Sequence, residues 1–174
     1  MKQIQKNSMY LSLTCWALLI IIPLGVIIKW MFFAPKPYIV SDLVDPTNAS
    51  WPPMLRLLGF CASMVGQVPV LISLFVLEAL FKNYQNGEVF SATNAIYYRR
   101  LGFLFLLDAF FIQALSETLQ VLAATLTNAP GHRYLFVSFG TPNLVSLFYG
   151  VVVIVISSVM LEASKIYEES NLTV

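Results

Sequence analysis

Arg56, Gln67, Asp108, Gln113 and Glu117 are among the polar side chains that stand inside otherwise apolar runs of this sequence. Ionisable groups in such surroundings are expensive, so each must be paired, neutralised or put to use. Gln113, Glu117 and Gln120 follow i, i+4, i+7 spacing and form one polar stripe on a helix. Arg56 is the natural counter-ion for Glu117, either as a structural pair or as a site that recognises a ligand. Glu117 lies nine residues after Asp108, which at 100° per residue places the two carboxylates on opposite sides of a regular helix. Asp108 is expected to face other helices in a polar layer with Gln67, Thr14 and Ser157 or Ser158, accepting hydrogen bonds from Gln67 or a hydroxyl. Such a layer can fix helix register, or it can hold a proton- or ligand-responsive carboxylate. Asp108 could also reach toward the membrane surface.

Enzyme chemistry finds little support. The chain lacks a Gly-x-Ser-x-Gly elbow, a His-Glu-x-x-His pair and a phosphate-binding glycine loop. His132 is the single histidine, in a Pro-Gly-His-Arg turn, and cannot supply a two-histidine haem site or a zinc cluster. Cys15 and Cys61 fall in opposite membrane halves, too far apart for a disulfide, and read as small packing residues. No cofactor and no metal are expected.

The elements that must position these groups follow from composition. Of 174 residues, 58% are hydrophobic and 11% charged, with a mean hydropathy of +0.76. That excludes a water-soluble domain and bulk disorder, and the net charge of +1 gives no general pull toward nucleic acid. Four apolar stretches, about 9–33, 55–81, 101–126 and 144–161, are long enough to cross a hydrocarbon layer of ~30 Å. Without water to satisfy the backbone they must be helices, and period-2 alternation is absent. The expected architecture is an all-α, integral membrane four-helix bundle, 1–174 as a single transmembrane domain. The first stretch is too long for a signal sequence and is read as a retained helix bent at Pro23. Turn chemistry separates the stretches at Pro35–Pro37, Trp51–Pro53, Asn86–Gly87, Asn128–Gly131 and Thr141–Asn143. Lys2, Lys6, Lys82, Arg99, Arg100 and Lys165 outnumber Lys29, Lys36, Arg56 and Arg133, so both termini are expected to be cytoplasmic. The sequons at Asn48 and Asn171 carry little weight.

The second stretch reads Gly59-x-x-x-Ser63 and Ala62-x-x-x-Gly66. Small residues four apart let helices approach closely, within the bundle or between two copies. The loop that follows is the most distinctive segment. Lys82 suits the negative end of a helix dipole, Asn86-Gly87 makes a turn, and Ser91 is a good N-cap for a helix running into the third span. Phe90 is placed to act as a staple against Ala95. Tyr97, Tyr98, Arg99 and Arg100 fall where interfacial anchors belong.

Gly87, Phe90, Ser91, Asn94, Arg100, Leu101 and Gly102 form a pattern that resembles a bacterial four-span membrane family, domain of unknown function 2975. The resemblance covers the four-helix layout but places recognisable residues only in this loop. It implies a protein of the bacterial inner (plasma) membrane and a cytoplasmic partner such as a helix-turn-helix regulator, with no catalytic residues to carry over. The expected function is therefore a non-enzymatic regulatory or sensor protein. Its 82–100 loop, through Gly87, Phe90, Ser91, Asn94, Arg99 and Arg100, would contact that partner. The alternative is a subunit of a small transporter or channel that uses Gln67, Asp108, Gln113 and Glu117 as a pathway. Four helices make a poor pore, so this alternative needs a homo-oligomer. Membrane lipid is the remaining expected partner, and direct nucleic-acid binding is not expected.

Overall fold

A computed structural model of the chain describes residues 2–32, 53–126 and 144–172. The turns expected at Pro35–Pro37, Trp51–Pro52, Asn128–Gly131 and Thr141–Asn143, with His132 and the Asn48 sequon, lie outside the described residues. Those described form helix α1 (Lys2–Phe32), α2 (Pro53–Gln85), α3 (Ala92–Leu107), a π-turn (Asp108–Ile112), α4 (Gln113–Thr125) and α5 (Leu144–Leu172). Among them there is no strand.

The helices overrun the apolar stretches. α1 starts at Lys2 rather than near residue 9, α2 runs on to Gln85, and α5 continues to Leu172 rather than 161, while α3 opens at Ala92, as the Ser91 cap predicts, ahead of the apolar run at 101. Apolar runs mark the length that suits lipid, not where hydrogen bonding stops. Polar segments such as Lys2–Ser8 and Glu162–Leu172 extend helices that have already nucleated. Pro53 opens α2, where its missing N–H has no intrahelical acceptor to lose.

Four helical segments are long and apolar enough to cross a membrane: Gln3–Met31, Arg56–Gln85, Ala92–Ala123 and Leu144–Ser170. Their exposure is the reverse of a soluble bundle. Leu13, Ile20, Phe111, Phe148 and Val159 point outward, while Ser8, Ser63, Ser73, Ser116, Ser157 and Ser164 are buried, as are Ala62, Ala95, Ala109 and Ala123. Large apolar side chains outside and small or weakly polar ones between helices is what lipid selects, since lipid tails are as apolar as leucine. This is a multi-pass membrane protein.

The chain forms two compact units, Met1–Leu19 with Pro69–Ala109 and Asn143–Val174, and Ile20–Val68 with Phe110–Pro142. In the first, α3 and α5 pack antiparallel along a seam of small residues. Ser157 Oγ donates to the Ala95 carbonyl at 2.7 Å. A Cβ added at Gly102 would lie 2.9 Å from the Gly150 carbonyl oxygen, and one at Gly150 3.1 Å from that of Gly102. Ala95, Gly102 and Ala109 recur every seven residues, and so do Gly150, Ser157 and Ser164; all six are buried. A heptad keeps one seam in contact along two helices, and small side chains there let the backbones close up.

In the second unit, Trp30 is 4% exposed and its Nε1 donates to Ser63 Oγ at 2.9 Å. Its ring lies so close over Gly59 that no Cβ fits there. Ser116 Oγ donates to the Ala62 carbonyl at 3.0 Å, and a Cβ at Gly66 would meet that hydroxyl at 2.7 Å. Both small-residue patterns of α2 thus take contacts within the chain. Trp30→Phe removes one interhelical hydrogen bond, worth about 0.6–1.7 kcal/mol in a membrane. Gly59→Val displaces the whole ring and is expected to lower the thermal midpoint in detergent further. Equal losses would mean that the indole is not seated on Gly59.

Candidate functional site

The turn between α2 and α3 is built from hydrogen bonds that its own residues supply. α2 ends in a Schellman motif: the Glu88 N–H donates to the Asn83 carbonyl at 3.0 Å and the Gly87 N–H to the Tyr84 carbonyl at 3.1 Å. That closure requires a left-handed residue, and Gly87 has φ +86°. Ser91 then caps α3 in extended conformation, its Oγ accepting from the Asn94 N–H.

Asn94 is fully buried and holds the turn shut. Its Nδ2 donates to the Glu88 carbonyl at 2.6 Å and to the Val89 carbonyl at 3.1 Å. Its Oδ1 accepts from Asn83 Nδ2 at 2.8 Å. One side chain thereby fixes the end of α2, the turn and the start of α3. The Tyr84 and Tyr98 hydroxyls share a hydrogen bond of 2.7 Å, and Gln85 Nε2 donates to the Ser8 carbonyl of α1 at 3.3 Å. Phe90 was expected to staple onto Ala95; the contact that the structure gives it is with Tyr167 of α5, ring centroids 6.3 Å apart. The longer α5 makes that contact available.

The outward groups are of another kind. Glu88 and Phe90 in the turn are exposed, as are Ile96, Arg99, Arg100 and Phe103 of α3. These last four follow i, i+3, i+4, i+7 and so share one face. The Arg99 guanidinium lies 5.8 Å from the Phe103 ring centroid and that of Arg100 6.0 Å from Tyr97, within cation–π range. Of the seven residues in the loop pattern, the turn consumes Gly87, Ser91 and Asn94, and the helix packing consumes Leu101 and Gly102. Phe90 and Arg100 stay exposed.

The intramembrane polar groups are arranged differently from the expected layer. Asp108 is half-buried and its Oδ2 accepts from Ser146 Oγ at 3.2 Å. Ser146 belongs to the first turn of α5, whose positive dipole end suits a carboxylate. The other hydroxyls are used elsewhere: Thr14 bonds the Tyr10 carbonyl, Ser157 that of Ala95 and Ser158 that of Ile154. Gln67 is half-buried and Gln113 exposed. Glu117 is half-buried but forms no ion pair with Arg56, whose Nε is buried without a partner. Ser116 is level with Ala62, so Arg56 lies six residues, about 9 Å, beyond that level and Glu117 only one residue, about 1.5 Å. The offset of roughly 7–8 Å along the axis keeps the charges apart. The π-turn also inserts one residue between Asp108 and Glu117, turning α4 by about 100° relative to a regular helix. The wheel that set these carboxylates opposite each other therefore does not apply.

Three features escaped the sequence reading. Glu78 is buried and paired with the exposed Lys82 at 2.9 Å, a pairing that Glu-x-x-x-Lys spacing signals. The heptad of small residues in the third span and α5 was visible as Ala-x₆-Gly-x₆-Ala and Gly-x₆-Ser-x₆-Ser. The π-turn leaves no mark in its sequence, Asp-Ala-Phe-Phe-Ile. Cys15 is buried and Cys61 exposed, both free, so only Cys15 serves as packing. Among the described residues no His, Cys, Asp and Glu cluster could hold a metal.

Four long apolar helical segments, the second and third joined by a locked turn, define a polytopic membrane protein. A family model described as protein of unknown function (DUF2975) matches residues 38–174. That is most of the chain, turn and last three spans included, and the chain belongs to this family. No curated protein and no solved structure matches it.

Proposed function

We propose that this chain is a non-enzymatic regulatory protein of the bacterial inner membrane, with both termini and the α2–α3 turn facing the cytoplasm. A cytoplasmic protein, such as a helix-turn-helix regulator, docks on the turn. One observation carries the reading: Asn94 satisfies the turn's internal hydrogen bonds, and Phe90, Ile96, Arg99 and Arg100 are left on the outside. A preformed surface with aromatic and arginine anchors suits protein recognition, because little ordering entropy remains to be lost on binding.

The transporter alternative needs free polar groups along a path. Ser116 donates to α2 and accepts from Gln120, and Asp108 accepts from α5, so these groups support helix packing. Co-purification from native membranes tests the proposal. Phe90→Asp and the double change Arg99→Glu with Arg100→Glu are expected to lower partner recovery at least tenfold with an unchanged thermal midpoint. Unchanged recovery with both variants removes the proposal, and proton or solute flux in liposomes, lost in Asp108→Asn, would replace it.

A further inference from the structure

Contacts inside the first unit alone place its helices at common levels. Ser8 lies near the start of α1 and Gln85 at the end of α2, and the two are bonded. Seven residues on from that contact Cys15 and Glu78 are level, and both are buried. Asn83 bonds Asn94, so five residues on Glu78 is level with Arg99. Ser157 bonds the Ala95 carbonyl, so four residues on Arg99 is level with Val153 of α5. The close approach of Gly102 and Gly150 gives the same register.

Arg99 and Arg100 thus stand at a depth where the neighbouring helices are apolar. Toward its charged end α5 reaches a first charge only at Glu162, nine residues past Val153. α1 does so only at Lys6, nine residues before Cys15. Nine residues of helix are about 13 Å. Over that interval α5 exposes Ile156 and Val159, and α1 exposes Met9, Leu11 and Leu13, the kind of surface that lipid covers.

The two arginines are exposed, and among the described residues neither forms an ion pair. Glu78, the carboxylate at their level, is buried and already paired with Lys82 at 2.9 Å. The guanidinium groups instead meet the Phe103 and Tyr97 rings, and a ring attracts a cation without neutralising it. Two adjacent cations against apolar surface call for an anion. A guanidinium fork fits phosphate through two parallel hydrogen bonds. A soluble anion would have to pass below the level at which α1 and α5 become polar, whereas a lipid brings its phosphate there. A zwitterionic headgroup would carry an ammonium to the same place and cancel less charge.

We propose that Arg99 and Arg100 form a binding site for the phosphate of an anionic phospholipid, whose acyl chains lie along the exposed Phe103 and Leu107. The headgroup layer dips toward the pair, as bilayers do around an arginine within a span. Each guanidinium carries five donors, so a bound phosphate leaves some for a protein at the turn. The inference stands whether or not one docks there.

Native mass spectrometry tests it, on the full chain released from micelles that hold phosphatidylglycerol and phosphatidylcholine in equal amounts. The wild-type chain is expected to retain phosphatidylglycerol over phosphatidylcholine by roughly tenfold or more. Arg99→Gln with Arg100→Gln is expected to abolish that preference. Lys6→Gln with Lys165→Gln, which removes the same charge from the polar ends of α1 and α5, is expected to keep it. Excess glycerol 3-phosphate, a soluble phosphate ester, is expected to displace none of the bound lipid. Equal retention of the two lipids by the wild-type chain overturns the proposal, whatever the variants do. A preference that survives the arginine change, or that the lysine change also abolishes, overturns it as well. Displacement by glycerol 3-phosphate does the same, since the site would then take a soluble anion. No second protein is present, so these outcomes leave partner docking untouched.

Discussion

Asn94→Ala is expected to be the most damaging single change in the turn, lowering stability by about 3 kcal/mol or more. The loss is not that of one side chain. Asn94 satisfies the Glu88 and Val89 carbonyls and the Asn83 amide, and a buried polar group left without a partner costs about 1–3 kcal/mol. Asn94→Asp retains an acceptor for Asn83 but aims oxygen at two carbonyl oxygens, so it should rescue nothing. Thermal unfolding in detergent reads both variants. A change within ~0.5 kcal/mol for Asn94→Ala, the size of an ordinary surface substitution, would mean that the network does not hold the turn.

Gly102→Val is the second large effect, and it reports on the α3–α5 seam. An added Cβ meets Ile154 Cγ1 at 2.5 Å and the Gly150 carbonyl oxygen at 2.9 Å. A side chain can move aside, but a helix backbone cannot do so without opening the seam. Overpacking of this kind costs about 1–3 kcal/mol and sometimes more. The loss grows here because separating the helices also strains the Ser157–Ala95 bond and the Asp108–Ser146 bond. Gly25→Val is the matched control, since nothing lies within 4 Å of a Cβ at that position. The midpoint should fall for the first and hold for the second; equal midpoints would place the seam elsewhere.

How much of this was legible in the sequence depended on how local the cause was. The spans follow from the length and hydropathy of each stretch, because lipid leaves the backbone no other way to satisfy itself. The turn was readable almost residue by residue. Gly87 is needed for a positive φ, and Ser91 for an N-cap oxygen. Asn94 was marked by pattern, but its bonds to Asn83, Glu88 and Val89 are set only when α2 and α3 meet. Arg56 and Glu117 show the opposite case. Their charges suggest a pair, and the antiparallel register keeps them apart. Asp108 was expected to accept from Gln67 or a hydroxyl of the same layer; its donor is a hydroxyl, but that of Ser146 of α5 rather than one in the layer inferred from depth. Depth counting assumed regular helices with ends at the apolar boundaries, and the π-turn and the overrunning ends broke both assumptions.

The same division bears on function. Residues that a fold consumes explain why a turn forms, while those left outside are free to meet something else. Phe90 and Arg100 belong to the loop pattern, stay exposed, and are the groups on which the proposed recognition rests.

A photo-crosslinking amino acid placed at Phe90 and at Ile96 in living cells tests that claim most directly, with lipid-facing Val155 as the control. The account expects one discrete protein adduct at both turn positions, lost when Arg99 and Arg100 are changed to Glu, and none at Val155. No protein adduct at Phe90 and Ile96, or the same adducts at Val155, would contradict it.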